Sequence, residues 1–282
     1  MSSNFLAYFQ HDLNPVLLPI YGDFAIRWYG IAYILGFITA CGLLKLYFKT
    51  KRSTWNSEAQ INAILYLALG TMIGGRLGFM LLYDLHVFLR NPLSFFEFWK
   101  GGMASHGGFV GCLIAAFLIA RRTKTPFLKT TDLIVTVAPP GLLFGRIANF
   151  INGELWGKLS NVPWAVIFPT STPPNTPLEL VAPRHPSQLY EAALEGLVLG
   201  AYIQLRFWRS NPQRMPAGQL SGEFLVAYSI LRIIGEVFRE PDPAGLILGL
   251  SRGVFYSIIL GTLGIFWIVW VRKTNLFPAT RE

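Results

Sequence analysis

The chain has 282 residues, of which 52% are hydrophobic and only 14% charged, and its mean hydropathy is +0.44. A soluble domain carries roughly 25% charged residues, so this much apolar surface needs a bilayer to cover it. The net charge of +9 comes from 24 basic and 15 acidic residues. The basic residues gather at the ends of apolar runs, which is a membrane pattern and argues against nucleic acid as a partner.

A membrane span needs about 20 mostly apolar residues, and on that count the sequence predicts an all-α integral membrane protein of about seven transmembrane helices. They run over 24–48, 61–83, 103–120, 132–150, 187–208, 219–238 and 253–271. The first 23 residues lack a basic start and a small-residue cleavage site, so insertion is expected to rest on the spans themselves. One side of the membrane receives 14 Lys and Arg, from Lys45 and its neighbours through Arg121, Arg206 and Arg272 to Arg281. The other side receives seven, including Arg27, Lys100 and Arg184, while Arg76, Arg146 and Arg232 fall within spans. That bias predicts an external N-terminus and a cytoplasmic C-terminus. The whole chain, 1–282, reads as a single transmembrane domain with two small extracytoplasmic segments. Residues 84–102 hold Pro92, Trp99 and several Phe and suit an interface; 153–186 is rich in Pro, Thr and Ser and reads as an arm or lid.

Gly70, Gly74 and Gly78 repeat at four-residue spacing in the second span, as do Gly107 and Gly111 in the third and Gly141 and Gly145 in the fourth. Such stripes let helices approach closely in lipid, or leave room for a ligand's backbone or acyl chain. Cys41 and Cys112 lie inside apolar runs without metal-ligand spacing and read as small buried hydrophobes.

An ionisable group in hydrocarbon costs roughly 2.5–3.5 kcal/mol on insertion scales, so it needs a partner or a task. Tyr228, Arg232, Glu236 and Arg239 are spaced to share one face of the sixth span. Arg232 and Glu236 could form an internal ion pair, or the arginine could offer donors to a phosphate. The fourth span ends in a run where Arg146, Asn149, Asn152 and Gly153 are expected on one stripe, followed by Glu154 and Gly157. His106 opens the third span ahead of two glycines; it is either an interfacial residue or a group for proton transfer. Gln188, Glu191 and Glu195 share a face of the fifth span and could counter the buried arginines. Nucleotide-binding loops, zincin motifs and nucleophile elbows are missing, so neither metal, ATP nor any other cofactor is expected. The buried charge reads as mainly cationic and near the outer leaflet, which suits a phospholipid phosphate arriving from the membrane.

These same stretches resemble the bacterial prolipoprotein diacylglyceryl transferase family. The resemblance is carried by Arg27-Trp28-Tyr29-Gly30, Gly74-Gly75-Arg76, Gly101 to Gly108, Gly145 to Gly157, His185 to Glu191 and Arg232 to Asp242. It implies seven spans in the bacterial inner (plasma) membrane. It also implies transfer of the diacylglyceryl group of phosphatidylglycerol to the lipobox cysteine of a preprolipoprotein signal peptide, with a thioether formed and glycerol phosphate released. The family's essential histidine falls on His106, and its two essential arginines on Arg146 and Arg232. Tyr29, Asn149, Glu154, Gly157, Tyr228 and Glu236 match its other functional positions, together with Arg146, as substrate-binding residues. The motif around Tyr29 departs from the family by starting with Arg27, and the seventh span by starting Arg252-Gly253-Val254. Two other readings share the buried arginines: a lipid transporter, which would be expected to show repeat symmetry, and a scaffold that uses arginines to join helices.

Overall fold

A computed structural model describes residues 8–22, 24–98, 101–211, 214–241 and 245–276. Trp99, Lys100, Asp242 and Arg281, which entered the sequence reading, lie outside the described residues. The fold is mainly helical. Two small sheets qualify the all-α expectation: β1 (Phe9–Gln10) pairs in parallel with β4 (Val166–Ile167), and β2 (Val16–Tyr21) pairs antiparallel with β3 (Phe24–Arg27). The first span therefore starts later than expected, as α1 (Trp28–Lys49), because 24–27 is extended.

The chain divides into two compact units, 1–36 with 138–282, and 37–137. In the second unit, α2 (Ser57–Leu82) leads through a short helix α3 (Leu85–Arg90) and a 3₁₀ turn (Pro92–Phe96) to α4 (Ser105–Thr123) and α5 (Phe127–Val137). Asn56 caps α2 by accepting from the Ala59 amide at 2.9 Å. The glycine stripes do what their spacing predicts. A Cβ at Gly78 would sit 2.7 Å from the Gly107 Cα, one at Gly70 3.0 Å from the Gly111 carbonyl carbon, and one at Gly74 would strike the Gly107 carbonyl oxygen. Helices α2 and α4 thus meet backbone to backbone.

The first unit holds α6 (Pro139–Ile151), α7 (Ser187–Glu191), a π-helical segment (Ala192–Val198), α8 (Leu199–Arg209), α9 (Gln219–Glu236) and α10 (Arg252–Leu276). The expected fourth span is not one straight helix. It breaks at Ala138, because Pro139 and Pro140 carry no backbone N–H and start a new helix, and α5 and α6 are bent by 40°. Among the described residues three helices are long and apolar enough to cross a membrane, Trp28–Lys49, Ser57–Leu82 and Arg252–Thr274, or four if the bent pair counts as one span. The remaining expected spans do not meet that measure: the fifth divides into α7, the π-helical segment and α8, α4 closes on Arg121 and Arg122, and α9 carries Glu223, Arg232 and Glu236.

Candidate active site

The end of α6 shows how the densest polar motif folds. Gly153 adopts φ +64°, its amide donates to the Phe150 carbonyl at 2.9 Å, and the Glu154 amide donates to Asn149 at 3.1 Å. This double closure is a Schellman turn, and glycine is the residue that takes the left-handed position without strain. Asn152 and Gly153 therefore lie on the terminating turn, not on a helical stripe with Arg146 as expected. The turn brings Glu154 back under α6, where its Oε1 accepts from Asn149 Nδ2 at 2.9 Å and Asn152 Nδ2 at 3.3 Å. Asn149 Nδ2 also donates to the Tyr29 hydroxyl at 3.0 Å, so α1, α6 and the turn share one network. Gly157 is buried where three segments meet. Its amide donates to the His185 carbonyl at 2.9 Å, and a Cβ would lie 2.6 Å from both the His185 and Phe238 carbonyl oxygens. No other residue fits there.

Opposite α6, the last residue of α7, Glu191, and the π-helical segment after it, with Glu195, supply two carboxylates. Such local rewinding of a helix is frequent at functional positions. Gly196 lets the segment lie on α6, since a Cβ would come within 2.6 Å of the Leu143 Cβ. Glu191 and Glu195 then face Arg146. Arg146 Nη1 is 2.9 Å from Glu191 Oε2, while its Nε and Nη2 both donate to Glu195 Oε2, at 3.1 and 2.9 Å. Arg232, from α9, places Nη1 2.5 Å from Glu191 Oε1 and Nη2 2.6 Å from Glu236 Oε2. Arg239 adds a third guanidinium to Glu191 at 3.2 Å. Glu236 is held from its far side by Ser251 Oγ at 2.8 Å, and Gly253 leaves room for it, since a Cβ would lie 2.5 Å from Oε2. Tyr228, one turn before Arg232, is close enough to interact electrostatically with Arg146 and Glu195.

This cluster corrects the expectation of a mainly cationic site: three carboxylates, Glu191, Glu195 and Glu236, meet three arginines. The reason is that buried charge must be paired to be tolerated. Glu191 and Glu195 do counter the arginines. Gln188 does not; its Nε2 donates to the Glu154 carbonyl at 2.6 Å and ties α7 to the turn. The two signs are unequally covered, however. The Glu191 and Glu195 side chains are 0% exposed and Glu236 7%, whereas Arg146 is 17% and Arg232 11% exposed.

Around the cluster, the Arg184 guanidinium stacks over Trp156 at 4.4 Å and donates to the Gly157 carbonyl and Glu240, both at 3.0 Å. His185 Nδ1 lies 3.2 Å from the Tyr190 hydroxyl, which accepts from Trp164 Nε1 at 2.6 Å. Burial, reinforced by the nearby Lys158 charge, holds the His185 imidazole below its ordinary value and keeps it neutral. His11, which no sequence motif singled out, is buried on the Phe150 carbonyl at 2.6 Å, between the Phe150 and Phe168 rings. It caps α6 from just after β1.

His106 belongs to the other unit. It occupies the first turn of α4 in the second unit, with an exposed side chain, next to the Gly107 that packs on Gly74. The structure thus brings Tyr29, Arg146, Asn149, Glu154, Gly157, Tyr228, Arg232 and Glu236 into one unit, and His106 into the other.

The model of the family described as prolipoprotein diacylglyceryl transferase matches residues 15–270. The chain belongs to the prolipoprotein diacylglyceryl transferase family. It is 42% identical over 298 residues to the phosphatidylglycerol–prolipoprotein diacylglyceryl transferase of Proteus mirabilis, covering 99% of both chains. It is likewise 42% identical over 289 residues to the protein of that name from Photorhabdus laumondii, covering 97% of each. Over 275 residues it is 42% identical to the one from Nitrobacter hamburgensis, covering 92% of this chain and 89% of the relative. The matched range of this transferase-family chain spans both compact units, the arginine–carboxylate cluster and the His106 turn.

Proposed function

We propose that this protein transfers the diacylglyceryl group of phosphatidylglycerol to the lipobox cysteine of a preprolipoprotein signal peptide. The sulfur attacks the glycerol carbon next to the phosphate, the C–O bond breaks, a thioether forms and glycerol phosphate leaves. A thiolate is far more nucleophilic than a thiol; His106 serves that thiol, as its general base or by orienting it. Arg146 and Arg232 hold the phosphate, whose charge rises as the C–O bond breaks. Fixed cations in a dry site can contribute several kcal/mol to such charge development. Tyr29, Asn149, Glu154, Gly157, Tyr228 and Glu236 shape the lipid site around them. The nucleophile comes from the substrate, so Cys41 and Cys112 have no part in the chemistry, and no cofactor is needed.

The observation that supports this reading best is the unequal covering of the buried ion cluster. The Glu191 and Glu195 side chains are 0% exposed while those of Arg146 and Arg232 are 17% and 11% exposed. The carboxylates fix the guanidiniums in place before a ligand arrives, so no ordering cost falls on binding. We further propose a single domain, 1–282, of seven spans in the bacterial inner membrane, its N-terminus outside and its C-terminus cytoplasmic, with 84–102 and 153–186 on the outer side.

The experiment is transfer to a lipobox peptide by purified variants. Arg146→Ala is expected to lose phosphatidylglycerol binding and Arg232→Ala to lose turnover, each lowering the rate on the order of 10²–10³. Wild-type rates in both variants would exclude the scheme.

A further inference from the structure

Arg76 is a buried cation on α2 that takes no part in the arginine–carboxylate cluster. It is 5% exposed, and each of its five N–H groups has a main-chain carbonyl to donate to. Nε donates to Phe95 at 3.1 Å, Nη2 to Ser94 at 2.6 Å and Glu97 at 3.2 Å, and Nη1 to Gly102 at 3.2 Å and to Gly101. All of these carbonyls belong to the segment that runs into α4. Gly101 and Gly102 take left-handed conformations, φ +78° and +81°, which turn their carbonyls onto the guanidinium. A Cβ at Gly102 would lie 2.6 Å from the Phe79 ring and 3.0 Å from Arg76 Nη1. Immediately afterwards the Ala104 amide donates to the Gly75 carbonyl at 2.9 Å, and α4 starts at Ser105. His106 is the second residue of that helix. Its neighbour Gly107 is locked on Gly74, so the first turn of α4 is fixed from both directions by the stretch of α2 around Arg76.

We infer that Arg76 is a positioning residue for the transfer reaction, acting through the 94–104 segment to set the place of His106. The inference rests on the proposed role of His106. A planar guanidinium with five diverging donors can serve five carbonyls at once; a lysine keeps the charge but has three donors on one atom and cannot. Misplacing a reacting group by about 1 Å can lower a rate on the order of 10²-fold.

The test measures kcat and KM for phosphatidylglycerol in Arg76→Lys, Gly102→Ala and His106→Gln, with hydrogen exchange followed over 94–108. Arg76→Lys is expected to lower kcat by roughly tenfold or more, toward that 10²-fold limit, to leave KM for the lipid within about threefold, and to speed exchange over 94–108 but not in α9. Should Arg76→Lys fail to accumulate as folded protein, Gly102→Ala decides, since it disturbs the same segment with the arginine in place and is expected to give the same split. A wild-type kcat in Arg76→Lys or, failing that variant, in Gly102→Ala overturns the inference, and so does a loss confined to KM. A wild-type kcat in His106→Gln instead overturns the reading of His106 on which the inference stands.

Discussion

Glu191 is wholly buried and touches Arg146, Arg232 and Arg239, whereas Glu236 pairs with Arg232 and leans on Ser251. Removing one partner of a buried ion pair costs about 3–5 kcal/mol, because the other charge is left uncompensated. Glu191→Gln should therefore lower the thermal unfolding midpoint in detergent more than Glu236→Gln does; equal or reversed effects would show that the cluster is not organised around Glu191. Arg146, Arg232, Glu191 and Glu195 were legible in the sequence because charge inside an apolar run is conspicuous. That Glu191 and Glu195 could counter the arginines was legible as well; that the carboxylates match the arginines in number was not, since charges from separate elements must converge before they can be counted together. The task of Arg76 was hidden for another reason. Its partners are main-chain carbonyls, which every residue possesses, so no side-chain pattern announces them. Nothing in the polar stretch around His11 points to the end of α6 either.

At the scale of elements, the meeting of α2 and α4 follows from glycine spacing. An alanine methyl at Gly111 would lie 2.7 Å from the Gly70 carbonyl carbon and 3.2 Å from the Gly74 Cα, while one at Gly42 on α1 would meet no described atom within 4 Å. Gly111→Ala should thus destabilise by about 1–3 kcal/mol through overpacking. Gly42→Ala should be neutral or stabilise by roughly 0.5–1 kcal/mol, because alanine loses less freedom in a helix. Denaturant or thermal titration of the two variants in detergent checks the contrast; equal stabilities would refute backbone contact between α2 and α4. The break at Pro139 obeys a rule the sequence states openly, yet an apolar count runs through it because proline does not lower hydropathy enough to mark a boundary. The π-helical segment has no such signature. Within it Gly196 packs on Leu143, and only the fold reveals that Glu195 is aimed at Arg146.

For the whole molecule, the apolar composition and the ordered motifs made both a membrane protein and its family legible. The number of spans is harder to read, since helices that carry buried charge lose the apolar signal by which spans are counted. Sidedness can be measured directly. In a protein whose Cys41 and Cys112 are replaced by serine, cysteines placed at Leu13 and Lys273 should react with an impermeant maleimide from opposite faces of the membrane. Labelling of both from one face would contradict an odd number of crossings. The most direct test of the central claim is mass spectrometry of a lipobox peptide incubated with the purified wild-type protein and phosphatidylglycerol. The account predicts a mass gain of one diacylglyceryl group on the peptide cysteine, stable to neutral hydroxylamine as a thioether is. An unmodified peptide, or an adduct that hydroxylamine removes, would contradict it.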